Sequence, residues 1–197
     1  MKSIDELAKQ AVELKNKGMP EKEIATELHL STQTVQWLLS RGFEKKTSAP
    51  RDVKIGWRSI GIYPYRISKL AEIFADIVIE EMNNRGFEVD SVVGIAINGI
   101  PIATFLAEEL NSELIVYRPQ PTNKEGTFSS NFASVSGKKI VIVDDVISTG
   151  ETMSKAIKDI KNQGGVPVLA LTIVNKTDRD EVEGVRLRSL IRSRLIE

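Results

Sequence analysis

The stretch Val141-Ile142-Val143-Asp144-Asp145-Val146-Ile147-Ser148-Thr149-Gly150-Glu151-Thr152 decides the fold. Its first half is an apolar, β-branched run, the pattern of a buried strand. Two adjacent carboxylates follow, then a small-residue turn, and from Glu151 the pattern becomes helical. This order sets the first N–H groups of a helix beside Asp144 and Asp145. Those N–H groups have no partner within the helix and lie at the positive end of its dipole, which suits a phosphate. Paired carboxylates suit the hydroxyls of a sugar or a hydrated cation. Together they describe a pocket for a phosphorylated sugar; a turn that merely caps its helix needs one acid or hydroxyl, not the whole series.

Working outward, strands and helices alternate. Residues 91–96 read as a buried strand, Gly94 to Pro101 as a glycine-containing loop, and residues 102–110 as a helix. Residues 113–117 form a strand that ends at Arg118, and the polar stretch from Pro119 to Ser136 is long enough to be a lid. Beyond the opening stretch come a helix to Asn162, stopped by Gly164 and Gly165, and a strand over residues 166–174. Upstream, residues 67–84 are an amphipathic helix with Leu70, Ile73, Phe74, Ile77 and Val78 inward. The fold class is therefore α/β, a mostly parallel sheet with helices on both faces and its ligands at the carboxyl ends of the strands. Residues 51–66, with Trp57, Tyr63 and Tyr65, read as a short strand and loop whose aromatic residues pack. The tail from Asn175 is a final strand or helix, with Arg186, Arg188, Arg192 and Arg194 as a solvated basic face.

Residues 141–152 resemble the phosphoribosyl pyrophosphate (PRPP) signature of the type I phosphoribosyltransferases. Residues 94–101 resemble the pyrophosphate-binding loop of orotate phosphoribosyltransferases, Gly-x-Ala-x-x-Gly-x-Pro. Without a ligand, the same loop is a tight strand-to-helix turn. The resemblance implies that Asp144, Asp145, Ser148, Thr149, Gly150, Glu151 and Thr152 bind the ribose and 5′-phosphate of PRPP. It assigns the pyrophosphate to Ala96, Asn98, Gly99 and Arg118. Mg²⁺ would arrive with PRPP, with no metal held directly by the protein and no other cofactor. The family's lid carries a Lys-x-His-Gly type motif; here the lid has the single lysine Lys124 and no histidine, and Pro119 follows Arg118 where the family has a paired Arg-Lys. Lys124 is thus the one candidate catalytic residue, and the departures favour ligand binding over turnover. An active protein of this kind would be a phosphoribosyltransferase using PRPP.

The first forty-odd residues are of a different class. Ile4, Leu7, Ala8, Ala11, Val12 and Leu14 mark one helix face, and Ile24, Ala25 and Leu28 a second. His29 and Leu30 form a sharp turn. Ser31 caps a third helix with Val35, Leu38 and Leu39 inward. The arrangement is similar to the helix-turn-helix family, and it makes Ser31, Thr32, Gln33, Thr34, Gln36 and Arg41 the candidate DNA contacts. The charge excess over residues 1–46 is slight, so tight DNA binding calls for a homodimer. The domain reading is residues 1–46 as a helix-turn-helix domain, 47–66 as a linker or hood, and 67–197 as a phosphoribosyltransferase-like domain. The whole resembles archaeal orotate phosphoribosyltransferase-like transcription regulators. The resemblance implies a DNA-binding regulator that senses PRPP or a related phosphorylated metabolite. The alternative is an active orotate-type phosphoribosyltransferase, its N-terminal helices serving assembly.

The 197 residues carry 27 basic and 27 acidic side chains, so any nucleic-acid binding must come from a local surface. There is no cysteine and one histidine, His29, which removes disulfides, thiolate metal sites and His clusters. The charged N-terminus and the absence of a long apolar run point to a cytoplasmic protein without a membrane partner.

Overall fold

A seven-stranded sheet has the order β3-β2-β1-β4-β5-β7-β6, built from β1 (Ser91–Ile95), β2 (Glu113–Arg118), β3 (Thr127–Phe128), β4 (Lys139–Ile147), β5 (Val166–Asn175), β6 (Glu181–Val182) and β7 (Val185–Arg192). The five inner strands pair in parallel, and β3 and β6 add antiparallel edges. β4, the strand of the decisive stretch, lies at the centre. Residues 140–143 are wholly buried, as a strand covered on both faces must be. The helices are α1 (Ile4–Asn16), α2 (Glu21–Leu28), α3 (Thr32–Ser40), α4 (Arg58–Gly61), α5 (Pro64–Arg85), α6 (Gly99–Glu109) and α7 (Glu151–Asn162). The computed structural model describes residues 3–40, 50, 52–120 and 125–194.

The chain divides into two compact units, Met1–Gly56 with Ser193–Glu197, and Trp57–Arg192. In the larger unit one core joins α7, through Met153, Ala156, Ile157 and Ile160, to Val93, Ile95, Ile115, Ile140, Ile142 and Ala170 of the sheet. The alternate face meets α6: a Cβ on Gly94 would lie 2.9 Å from the Ala103 side chain. In the smaller unit α1, α2 and α3 enclose Leu7, Ala11, Ile24, Ala25, Leu28, Leu30, Val35 and Leu38. Ser3 and Glu6 form a capping box at the start of α1. His29 turns the chain out of α2 in the left-handed region, at φ 52°.

Several expectations shift. Residues 58–61 and 64–66 are helical rather than a strand: α4 occupies Arg58–Gly61, and α5 starts at Pro64, whose fixed φ and missing N–H suit a first turn. Ile73 of α5 is 54% exposed instead of inward, and Ile4 and Val12 of α1 are also exposed. The tail is a strand, β7, and its three arginines are not simply solvated, Arg192 pairing with Asp180. Buried Glu81 of α5 pairs with Arg186 at 2.9 Å and also with Arg188, and Glu80 pairs with Arg188 at 3.2 Å. An acid so deeply buried needs such partners.

Candidate functional site

Parallel register brings the carboxyl ends of β1 and β4 side by side, with Gly94 opposite Val143. The loop after β1 therefore lies on the end of β4. Gly99, at the start of α6, packs against its backbone so tightly that a Cβ would sit 2.4 Å from the Val143 carbonyl oxygen. The Ala96–Ile97 peptide is cis. The Asn98 side chain reaches across: its Nδ2 donates to Asp145 Oδ2 at 3.0 Å. The two strand-end loops singled out from the sequence are thus joined by a direct hydrogen bond.

Asp145 is 2% exposed. Its Oδ2 accepts a second bond, from the indole Nε1 of Trp57 at 2.7 Å, and its Oδ1 accepts the Val146 N–H at 2.9 Å. Thr172 of β5 donates its hydroxyl to the Asp145 carbonyl at 2.8 Å, which fixes the backbone beneath. Asp144 Oδ1 accepts the Asp145 N–H at 2.9 Å. Burial pushes the Asp144 carboxyl well above the usual carboxylate range, and the neighbouring charge of Asp145 pushes it further. The two acids are therefore unequal: one is held by donors, while the other resists ionisation.

Beyond them, residues 148–150 turn into α7. Gly150 has φ +85°, and no side chain caps the helix. The Thr149 hydroxyl accepts the Glu151 N–H at a long 3.4 Å. Ser148 and Thr152 are half-buried, and Thr149 and Glu151 are exposed. Arg179, on the loop after β5, stands over this turn, its Nη1 3.6 Å from where a Gly150 Cβ would be. Asn175 holds that loop: its Nδ2 donates to the Arg179 carbonyl at 2.9 Å and its Oδ1 accepts the Thr177 N–H at 2.8 Å. A guanidinium beside the N-terminus of a helix is a setting for a phosphate.

Arg118 is exposed at the end of β2. The expected lid departs from here, and Lys124 lies outside the described residues. α7 holds both neighbouring backbones. Lys155 donates to the Gln120 carbonyl at 3.0 Å, and buried Asp159 accepts the Gly126 N–H and the Tyr117 hydroxyl, each at 2.7 Å. Burial, with the bond to Asp159, raises the Tyr117 phenol far beyond its ordinary value.

In the smaller unit the candidate DNA contacts divide. Ser31 Oγ caps α3 by accepting the Thr34 N–H at 3.1 Å. Asp52 takes the Ser31 N–H at 2.6 Å and the Thr34 hydroxyl at 2.8 Å. Thr34, 8% exposed, thus faces inward. Gln33 and Gln36 are exposed, Thr32 is half-buried, and Gln36 Nε2 donates to Glu21 at 3.1 Å. Arg41 lies outside the described residues.

Sequence reasoning missed four residues here. Asp52 and Asp159 act across 18 or more positions of chain and leave no local pattern. Arg179 follows an Asn-Lys-Thr-Asp run that reads as a turn. Trp57 reads from the sequence only as a packing residue, and nothing near it in sequence points to Asp145, 88 residues away.

The model of the phosphoribosyl transferase domain family matches residues 59–186. A Thermoplasma acidophilum protein named transcriptional regulator GfcR is 59% identical over 196 residues, covering 100% of this chain and 98% of that protein. Its namesake from Picrophilus torridus is 55% identical, covering 100% of both. Among solved structures, orotate phosphoribosyltransferase from Aeropyrum pernix aligns with a TM-score of 0.55 at 26% identity, over 80% of this chain and 92% of that one. The Mycobacterium tuberculosis H37Rv orotate phosphoribosyltransferase aligns with a TM-score of 0.57 at 18% identity, over 74% and 85%, a likeness of fold.

Proposed function

The chain belongs to the phosphoribosyl transferase domain family and, over its whole length, to the transcriptional regulators called GfcR, and from that premise we propose a DNA-binding regulator that senses PRPP or a related phosphorylated metabolite. The observation that carries the sensing is the joining of the two strand-end loops through Asn98 and Asp145. Asp144 and Asp145 face the ribose hydroxyls, and the N–H groups of residues 148–152 take the 5′-phosphate. Ala96, Asn98, Gly99 and Arg118 take the pyrophosphate. Two adjacent carboxylates are hard oxygen donors of the kind Mg²⁺ accepts, and Mg²⁺ commonly keeps few protein ligands. The ion would come with PRPP, beside Asp144 and Asp145, and offset the charge of the pyrophosphate.

DNA is read from α3. Gln33 and Thr32 carry the polar groups for base edges or phosphates, with Gln36 beside them and Arg41 following. Ser31 and Thr34 shape the helix start. A homodimer doubles these contacts; exposed Ile62, Tyr63, Tyr65, Ile73 and Ile79, on and just before α5, are apolar surface suited to self-association. Ligand binding shifts the population of dimer geometries and so the spacing of the two α3 helices. No helix among the described residues is long and apolar enough to cross a membrane, and DNA binding places the work in the cytoplasm.

Fragments selected from genomic DNA are expected to bind in a gel-shift assay, with an affinity that changes on adding Mg-PRPP. Absence of DNA binding with and without PRPP would overturn the regulator. Calorimetry should show PRPP binding to the unaltered protein and at least about tenfold weaker binding to Asp144→Ala plus Asp145→Ala. An unchanged affinity would remove the site assignment. The same cradle also favours a working transferase, and pyrophosphate release from Mg-PRPP with orotate or a purine base separates the two: robust turnover establishes the enzyme.

A further inference from the structure

Oδ2 of the Asp145 carboxylate is committed. A carboxylate oxygen offers about two lone pairs. Asp145 Oδ2 already receives the Trp57 indole N–H at 2.7 Å and the Asn98 amide at 3.0 Å, and Oδ1 receives its own chain's Val146 N–H. A sugar hydroxyl that donates to Oδ2 has to replace one of these donors. Asn98 is anchored in the loop before α6. Trp57 is half-buried and comes from the strap that precedes α5.

That strap is built to place the ring. The Trp57 carbonyl accepts the Ile60 N–H at 2.8 Å and the Gly61 N–H at 3.1 Å, so Trp57 is the N-cap of α4. The ring folds over Gly61, where a Cβ would come within 2.8 Å of Cζ3 and 3.2 Å of Cε3. Glycine at 61 is what lets the indole lie down over α4 and extend its N–H to Asp145. An indole N–H only donates, so a carboxylate is its natural partner. Along the chain, Trp57 directly follows Gly56, the last residue of the N-terminal stretch that carries α1 to α3.

We propose that Trp57 is a built-in competitor for the sugar: its indole N–H occupies the Asp145 oxygen that a ligand hydroxyl takes, so ligand entry expels the ring and loosens the α4 strap. PRPP binding at Asp144 and Asp145, proposed above, is the premise. The competition makes occupancy of the pocket and the position of residues 57–61 one equilibrium. It ties the pocket to the segment through which the chain passes to its DNA-binding helices. It is also selective: ligands that bring hydroxyls to Asp145 displace the ring, and those that bring phosphate alone do not.

The chain has two tryptophans, so Trp37→Phe leaves Trp57 as the only indole. In that protein, Mg-PRPP and ribose 5-phosphate are expected to shift the emission to the red and raise acrylamide quenching, while pyrophosphate changes neither. By calorimetry, Trp57→Phe, which keeps a ring but has no donor, is expected to bind PRPP about three- to tenfold more tightly, with pyrophosphate affinity unchanged. Gly61→Ala, which keeps the indole and crowds it off its seat, should shift PRPP affinity in the same direction. Binding of PRPP with a static Trp57 emission and equal affinity in both variants would overturn the competition alone. Weaker binding by Trp57→Phe would also overturn it, making the ring a ligand contact. If PRPP binds none of these proteins, the sensing role itself falls, and the competition with it.

Discussion

At the end of β1, Gly99 has no room for a side chain: a Cβ would meet the Val143 carbonyl oxygen at 2.4 Å and the Asp144 Cα at 3.3 Å. At the end of β4, Gly150 has room, the nearest atoms being Arg179 Nη1 at 3.6 Å and an Ile147 methyl at 4.0 Å, but its φ of +85° excludes most other residues. Both loops are glycine-marked turns from strand to helix, yet the first is filled by the protein's own backbone and the second is open. In the first loop, packing alone demands glycine at 94 and 99, since a Cβ on Gly94 would lie 2.8 Å from the Ile100 Cα. Its glycine pattern is therefore a statement about architecture before it is one about ligands. In the second loop nothing crowds the glycine. What the conformation accomplishes is to start α7 beside the Arg179 guanidinium.

The largest expected effect tests the filled loop. Gly99→Ala forces the backbone of the central strand apart, and a backbone cannot step aside as a flexible side chain can. Overpacking usually costs about 1–3 kcal/mol and occasionally more. With β4 as the obstacle, about 3 kcal/mol or more is expected, read as a fall in the urea midpoint at constant slope. A variant of unaltered stability would show that the loop has slack, and the contrast between the two turns would disappear.

A second test concerns the acids between the loops. Asp144 is raised by burial and by the Asp145 charge. The sign follows directly. Below the ordinary carboxylate range the residue is protonated in both folded and unfolded chains, and stability is unaffected. As pH rises through that range the unfolded chain releases the proton while the folded one retains it, so stability is lost until the folded group ionises too. Asp144→Asn removes that loss. Urea unfolding should find the variant more stable than the unaltered protein at pH 7, with the difference shrinking toward pH 4. An equal or lower stability at pH 7 would mean that the carboxylate is compensated in the folded state. That outcome would make Asp144 resemble Asp145, whose donors are in place.

Much of this was legible in the sequence because it is periodic or contiguous. The apolar run of residues 141–143 marks a buried strand, though not its central place in the sheet. The alternation from residue 67 onward fixed a parallel sheet, and Ser31 after His29 and Leu30 fixed a third helix. The illegible parts depend on distance along the chain. Nothing in the sequence around Glu81 points to Arg186 and Arg188 of β7, its partners in the fold. The start of α5 was misplaced because Pro64 looks like a breaker and acts as a first-turn residue. Within the site, the contiguous acids and the Ser-Thr-Gly turn were visible. Trp57 and Arg179 were not, since each arrives from a loop whose path only the folded chain defines.

The smallest expected effect on stability tests the open loop. Gly150→Ala introduces no clash, so its cost is conformational alone. Holding an L-residue in the left-handed region costs about 1–2 kcal/mol, and the low end applies where the surroundings can relax. A loss of about 1 kcal/mol in urea unfolding is therefore expected, well below that for Gly99→Ala. Ligand binding should rank the other way. A methyl group at 150 would lie 3.6 Å from Arg179 Nη1 at the start of α7, where a phosphate is proposed to sit, so inorganic phosphate and PRPP should both bind several-fold more weakly for the loss of one or two hydrogen bonds. If Gly150→Ala were as damaging to stability as Gly99→Ala, the second turn would be as filled as the first. If it left phosphate affinity intact, the start of α7 would be facing water rather than a ligand.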